Sequence, residues 1–400
     1  MPTPPAMLNI RHFANTIVGK PGNIGVRTER IIRALSAQGD SGYCLSRQAQ
    51  LKSPGFVYRD MGWLGHLPRL LNATRIYLAP SFNHRYPDVK LFEWFAARHW
   101  QEASAGPRPI AHVWDACPRL LTALKTAGIP VLLDIPVAPT AYSLRIAEQY
   151  DLDFLMTHRS MLDFEQAACE LADLIAAPSW FVAEELQRIG VTPDKIRIAE
   201  FGVDPPSGPT KLHPPKSPGA PLDFCFAGNI NRRKGVDLLL DAWRDPAFAG
   251  DSLHLCGRLY PEIDVAAATN PVLTPGFVNT FEYLPNCDVF VFPSWLEGSA
   301  KAVFEAMACG LPAIVSDASG SVVRDGIDGF VIAAGDRDAL RERMLWFKTH
   351  PEQIRAMGDN ARARARQFSW DGYAAKVIEL YRELADRAHA CVAPIDKAAR

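Results

Sequence analysis

Two runs in the second half of the chain carry residues suited to holding a polyanion and a polyol. The first, FAGNINRRKGVDLLLDAW at 226–243, places Arg232, Arg233 and Lys234 in a turn between an apolar strand, 224–227, and a helix, 236–243. Three cations before a helix oppose its dipole, at a cost of a few tenths of a kcal/mol each when exposed. A bound polyanion reverses that sign, since one unit charge pair at 4 Å is worth about 4 kcal/mol at an effective dielectric of 20. A solvated basic turn is the alternative. The second run, PSWLEGSAKAVFEAMACGLPAIVSD at 293–317, holds Glu297 and Glu305, eight positions apart. Glu305 lies in a segment apolar on nearly every side, which marks a buried helix, so its carboxylate needs a partner. Lys301, four residues earlier, is one candidate, although Lys before Glu is the poorer order of that pair. A ribose diol is the other, because an ionised carboxylate only accepts hydrogen bonds. As a hydrolase pair the glutamates are unpromising. With both on one helix they would stand ~12 Å apart, beyond the ~5 to 9.5 Å of hydrolase carboxyl pairs.

Other residues make milder claims. Gly19, Gly22 and Gly25 in VGKPGNIGVRTE fall between the first strand and the first helix, where glycine lets the backbone approach an anion. Their spacing is neither the dinucleotide fingerprint nor a phosphate-binding loop with its lysine, and a plain tight turn fits them equally. His112 ends an apolar strand and points to the sheet edge where ligands bind in such folds; a satisfied core histidine is the competing reading. His158 and Arg159 precede a helix and read as surface or domain-contact residues. Trp295, beside Glu297, is core, lid or sugar platform.

The elements that position these residues alternate from end to end. Strands are expected at 8–12, 75–79, 110–113, 131–135 and 174–177, with helices at 26–38, 119–126 and 180–189. After a break the scheme restarts, with strands at 224–227, 253–256, 289–292, 313–315 and 330–332 and helices at 236–243, 302–309 and 339–348. Short apolar strands alternating with helices imply parallel sheets covered on both faces. Two such series predict an α/β protein of two doubly wound, Rossmann-like domains. The break is 205–221, PPSGPTKLHPPKSPGAP, with seven prolines in 17 residues; it cannot hold a helix or enter a sheet interior. We therefore expect domains at 1–204 and 222–367, joined by that linker, and an amphipathic helix within 368–390 that packs across the domain junction. The chain's 32 prolines in 400 residues, against a usual share of about 5 %, are thereby explained: outside the linker and the first five residues the frequency is ordinary.

Composition excludes some partners. With 43 basic and 44 acidic residues and no basic stripe, nucleic acid is not expected. The eight cysteines form no C-x-x-C pair and read as buried reduced thiols. The first residues lack the pattern of a secretory leader, and no run approaches the ~18 to 20 apolar residues of a membrane span. A cytoplasmic protein is expected, with peripheral contact at the inner membrane face left open.

From about residue 170 to 382 the chain resembles the retaining glycosyltransferases of family 4, glycosyl transferases group 1, which have the GT-B fold. The resemblance is carried by ELADLIAAPSWFVAEELQRIGV with KIRIAEFGVD at 170–204, by 226–243, LHLCG at 253–257 and CDVFVFPSWLEGSAKAVFEAMACGLPAIVSD at 287–317, and by DGIDGFVIAAGDRDAL at 325–340 and FSWDGYAAKVIELY at 368–381. It implies two domains facing a central cleft and a nucleotide-diphosphate sugar as donor. Lys234 matches the lysine that contacts the diphosphate, Glu305 the glutamate that binds the ribose, and Glu297 the glutamate near the donor sugar and phosphates. Lys234, Arg233 and Glu297 are the implied catalytic residues. Gly25, Asn229, Gly257, Val278, Gly298, Ser299, Ala300 and Lys301 complete the donor site, and Gly22, Asn23 and His112 fall on the acceptor side. No metal and no cofactor are expected; the donor is a co-substrate and the acceptor a saccharide or lipid-linked hydroxyl, as in surface polysaccharide or glycoconjugate synthesis. Three departures stand out. Asn229 occupies a position that is often arginine, the loop reads Glu297-Gly298-Ser299-Ala300 instead of E-G-F-G, and Pro136 stands where the first domain often has a histidine. A nucleotide-sugar epimerase or phosphorylase on the same fold, and a non-catalytic nucleotide-sugar-binding subunit, are the alternatives.

Overall fold

The computed structural model describes residues 7–19, 23–67, 85–103, 108–155, 157, 159–204, 216–217 and 219–392. Gly22, His158, the expected strand at 75–79 and nearly all of the proline-rich linker lie outside them. The chain divides into two compact units, one made of residues 1–177, 183–199 and 371–400, the other of 178–182 and 200–370.

Unit 1 is built on a seven-stranded sheet: β1 (Asn9–Val18), β2 (Ser41–Ala49), β3 (Phe56–Asp60), β4 (Ile110–Val113), β5 (Val131–Asp134), β6 (Leu174–Ala177) and β7 (Ile196–Ile198). The spatial order is β3-β2-β1-β4-β5-β6-β7, and all neighbours are parallel. The connections contribute α1 (Asn23–Ala37), α2 (Arg85–His99), α3 (Pro118–Thr126), α4 (Thr140–Tyr150), α5 (Ser160–Leu171) and, from Ala183 onward, α6 (Trp180–Arg188). β4, β5 and β6 are buried at every position, as strands covered on both faces must be. That is why they stand out as apolar runs.

Unit 2 has six strands in the order β10-β9-β8-β11-β12-β13, again all parallel. They are β8 (Asp223–Ala227), β9 (Ser252–Cys256), β10 (Val272–Gly276), β11 (Val289–Phe292), β12 (Ala313–Ser316) and β13 (Gly329–Ile332). The helices are α7 (Val236–Ala242), α8 (Thr280–Tyr283), α9 (Lys301–Cys309), α10 (Arg337–Thr349) and α11 (Glu352–Ala365). In α9, Val303 through Cys309 are all buried, so the apolar segment is a core helix as its pattern requires. The seven described cysteines, from Cys44 to Cys309, are free and buried.

The final helix, α12 (Trp370–Val392), belongs to unit 1 from Asp371 onward. Its Tyr373 hydroxyl accepts from Arg27 Nε at 2.9 Å, its Tyr381 hydroxyl lies 2.7 Å from His112 Nδ1, and Glu383 accepts from Arg197. Among the described residues no helix is long and apolar enough to cross a membrane.

Candidate active site

Parallel sheets bind ligands at the carboxyl ends of their strands, and in unit 2 those ends are tied together by backbone contacts. Gly228 N–H donates to Cys256 O at 2.9 Å and Gly257 N–H to Gly276 O at 2.7 Å. A Cβ on Gly257 would collide with the Gly228 carbonyl oxygen, and its φ of 136° is open only to glycine. Asn229, exposed, and Val278, half-buried, extend from this glycine lattice.

The basic turn after β8 is held by its own residues. Asn231 Oδ1 accepts from the Lys234 N–H at 3.1 Å, closing a single 3-10 turn over Arg232–Lys234. Gly235 follows in the left-handed region, φ 69°, and a Cβ there would collide with the Pro293 carbonyl. The turn therefore lies directly against the 293–300 loop. Trp295 N–H donates to the Arg233 carbonyl at 3.0 Å and Glu297 N–H to the Ala318 carbonyl at 3.0 Å. Three groups converge on Glu297 Oε1: Lys234 Nζ, Arg233 Nη1 at 3.1 Å and Ser294 Oγ at 3.0 Å. Arg233 Nη1 also donates to the Leu296 carbonyl at 2.6 Å.

This arrangement revises the expected dipole opposition. The turn is separated from α7 by Gly235, and Arg232 faces Asp237 in the first turn of that helix at 3.4 Å. Two cations against one carboxylate leave Lys234, Arg233 and Glu297 with a net charge of +1. Burial opposes the Glu297 carboxylate, but Lys234 and Arg233 outweigh it and hold the carboxyl below its usual range. Burial likewise draws the Lys234 ammonium below the usual lysine range, against the pull of Glu297. With its carboxyl held low, Glu297 is an ionised acceptor at neutral pH, fixed beside both cations at the carboxyl edge of the sheet.

Glu305 lies one helical turn into α9, and its Oε1 accepts from Lys301 Nζ at 2.8 Å, with Lys301 more than half exposed. The pair that the spacing allowed is formed, and a carboxylate still has acceptor sites for a diol. Gly298, Ser299 and Ala300 are buried in the loop before α9. Ser299 Oγ and the neighbouring-loop Ser319 Oγ are buried without a hydrogen-bond partner among the described residues. Trp295 proves to be core: it is 5 % exposed and its indole fills the space where a Cβ on Gly335 would sit.

One contributor escaped sequence reasoning. Ser179 Oγ donates to the Gly298 carbonyl at 2.6 Å and so pins the glutamate loop from 119 positions earlier. Only the long-range contact reveals it; nothing local in PSWF marks it.

Unit 1 holds the remaining expected residues. Asn23 opens α1 and Gly25 is buried in its first turn, not in a turn before a helix at 26. Amides of a first helical turn have no intrahelical partner, so a glycine there forfeits little and the helix starts three residues earlier. His112 has no exposed surface: Nδ1 meets Tyr381, Nε2 lies 3.8 Å from Asp134, and the ring stacks on Trp114 at 4.1 Å. Burial, against the pull of Asp134, lowers its pKa. Pro136 follows β5, whose last residue, Asp134, is committed to Arg27.

The two sheets and this strand-edge site define a two-domain α/β protein of the GT-B fold. The chain belongs to the family 4, group 1 glycosyltransferases: residues 24–206 match the family described as Glycosyltransferase Family 4 and residues 221–349 that described as Glycosyl transferases group 1. It is 29 % identical over 173 residues to an uncharacterized glycosyltransferase of Methanocaldococcus jannaschii, covering 40 % of this chain and 48 % of the relative. To the MMP alpha-(1->4)-mannosyltransferase of Mycolicibacterium hassiacum it is 26 % identical over 256 residues, 57 % of this chain and 58 % of that one. The chain thus spans about half the length of the curated relatives it matches. Its fold is that of sucrose-phosphate synthase from Thermosynechococcus elongatus, with TM-score 0.69 at 19 % identity over 95 % of this chain and 100 % of that one. Anabaena HepE, solved in complex with UDP and glucose, gives 0.63 at 17 % over 94 % and 100 %.

Proposed function

We propose that the chain is a retaining glycosyltransferase that moves a hexose from a nucleotide-diphosphate donor to a hydroxyl of a saccharide or lipid-linked acceptor. The observation that carries this reading is the convergence of Lys234 and Arg233 on Glu297 at the carboxyl edge of the unit 2 sheet. Transfer breaks the bond from the anomeric carbon to the diphosphate oxygen and forms one to the acceptor oxygen, whose proton passes to the departing diphosphate, so negative charge grows on the leaving group and positive charge on the sugar. Fixed cations aimed at the first and a carboxylate beside the second lower the barrier without reorganising at the moment of reaction. Lys234 and Arg233 take the diphosphate, Glu297 holds them and faces the sugar end, and Glu305 accepts from the ribose hydroxyls. The loop backbone at Ser299 and Lys301 supplies N–H groups, while the Ala300 N–H is spent on the Ser319 carbonyl at 3.2 Å. Asn229 leaves the neutralising charge to Arg233.

Glu305→Ala tests the ribose assignment. Donor KM is expected to rise about tenfold or more, as loss of a charged hydrogen bond implies, with unfolding temperature little changed because Lys301 is exposed. An unchanged donor KM would remove Glu305 from the site. Because two side-chain cations already face the leaving group, transfer is expected to continue at full rate in excess EDTA; loss of activity restored by magnesium or manganese would show that a metal shares the work.

A further inference from the structure

On one face of the unit 1 sheet, three side chains hold hydrogen-bond donors that meet no acceptor. Arg11 of β1 pairs in register with Tyr43 of β2, and Tyr43 with Val57 of β3, so the three share a face. Asn9, two residues before Arg11, shares it as well. Arg11 is 2 % exposed, and Tyr43 and Asn9 are buried too. Among the described residues, Arg11 Nε, Asn9 Nδ2 and the Tyr43 hydroxyl have no hydrogen-bond partner. Arg11 is the third residue of β1, so the group lies toward the amino end of the strand, not at the carboxyl edge.

A buried cation normally has a carboxylate beside it, because an unpaired charge in the interior is among the costliest arrangements a fold can carry. Arg27, equally buried, is matched by Asp134. Arg11 has no such match: burial draws its guanidinium below the usual arginine range, and only Tyr43 pulls the other way. Carboxylates of the neighbourhood are engaged elsewhere. Asp40 accepts from the Leu8 N–H at 2.8 Å, and Glu102 is shared between His99 and Arg59. The three orphaned groups are all donors. Tyr43 keeps its proton, since burial above all pushes its hydroxyl up to about 12. A ligand that fits must therefore bring acceptors and a negative charge. Water or a neutral sugar would satisfy the donors and leave the charge unmatched. Solvent meets this face at its rim, where Val57 is 65 % exposed.

We propose that Asn9, Arg11 and Tyr43 form a binding site for a small oxyanion (a phosphate, sulfate or carboxylate group) within unit 1. The oxyanion supplies the counter-charge that Arg11 lacks and accepts from Arg11 Nε, Asn9 Nδ2 and the Tyr43 hydroxyl, so it ties β1 to β2. The site uses no residue of the donor chemistry and does not depend on the glycosyl-transfer reading.

The test titrates phosphate, sulfate and acetate into the full chain against chloride at constant ionic strength, reading melting temperature and amide hydrogen exchange in β1 and β2. At least one of the three is expected to raise the melting temperature of the wild type and slow exchange in both strands. A response to phosphate or sulfate marks a tetrahedral oxyanion as the ligand, and a response to acetate marks a carboxylate. Lys234→Met is expected to keep the response, which separates it from an anion held in unit 2. Arg11→Met is expected to lose it, and Tyr43→Phe to weaken the apparent affinity about tenfold or more. In chloride alone Arg11→Met should melt no lower than the wild type, because an apolar side chain relieves the burial of an unpaired charge. A guanidinium kept only for packing would give the opposite. No response to any of the three oxyanions, an undiminished response in Arg11→Met or Tyr43→Phe, a lower-melting or unfolded Arg11→Met in chloride, or a response lost in Lys234→Met would each overturn the site.

Discussion

Lys234→Met is expected to lower the rate of sugar transfer about 10²- to 10³-fold, the usual loss when one preorganised electrostatic group is removed from a transition state. The lysine is nearly buried, its side chain 12 % exposed, and it lies between the carboxylate of Glu297 and the ring face of Phe292, 5.1 Å from the centroid. Methionine keeps the length and loses the charge. Glu297 retains Arg233 and Ser294, so it is not stranded and unit 2 should stay folded. The loss should fall on kcat more than on donor KM, because charge on the leaving group is greatest as the bond breaks. A variant that kept full kcat, with a folded far-ultraviolet spectrum, would contradict the assignment of Lys234.

Arg27→Met is expected to cost about 3 to 5 kcal/mol, because it leaves Asp134 as an uncompensated buried charge. Arg27 and Asp134 have no exposed side-chain surface. The guanidinium joins three elements: it pairs with Asp134 at the end of β5, donates to Tyr373 of α12 at 2.9 Å, and sits 4.9 Å from the ring centroid of Trp114. At about 2 to 4 °C per kcal/mol for a unit of this size, the melting temperature of unit 1 should fall by roughly 10 °C. Burial opposes the Asp134 carboxylate, but Arg27 outweighs it and holds the carboxyl below the usual range. The stability this adds is therefore present above about pH 4 and lost as pH falls further. The variant should lack that acid limb. Arg27→Met combined with Asp134→Leu should recover much of the loss, since well-packed apolar replacements of a buried pair are often neutral. A single variant as stable as the wild type would contradict the role given to the pair.

The strands that were legible in the sequence are the ones buried on both faces. β4, β5, β6, β11 and β12 are short apolar runs with nothing to confuse them. β2 and β3 were missed because SGYCLSRQA mixes polar residues into the strand and FVYRD is an edge with mostly exposed positions. β10 was missed because Pro275 reads as a breaker, yet on an edge strand proline is tolerated. In unit 2 the charged residues of the site were legible because their types are costly without a purpose: a carboxylate in an apolar helix, cations in a strand-to-helix turn. What could not be read was their partnership. Lys234 and Glu297 lie 63 positions apart and Ser179 and Gly298 119, and Trp295 packs against Gly335 of another loop. Such contacts come from chain crossing, and no local pattern encodes them. At a strand end His112 reads as either a core or an acceptor-side residue; its Nδ1 meets the Tyr381 hydroxyl of the last helix at 2.7 Å, a partner no local pattern shows.

Nucleotide release from a panel of UDP-, GDP- and ADP-sugars, measured for the wild type and Lys234→Met, tests most directly whether unit 2 carries a donor site for sugar transfer. Release by the wild type from at least one donor, stimulated by acceptor and reduced at least a hundredfold in the variant, is the expected result. Wild-type rates in the variant, or no release from any donor by a chain that is folded, would contradict it.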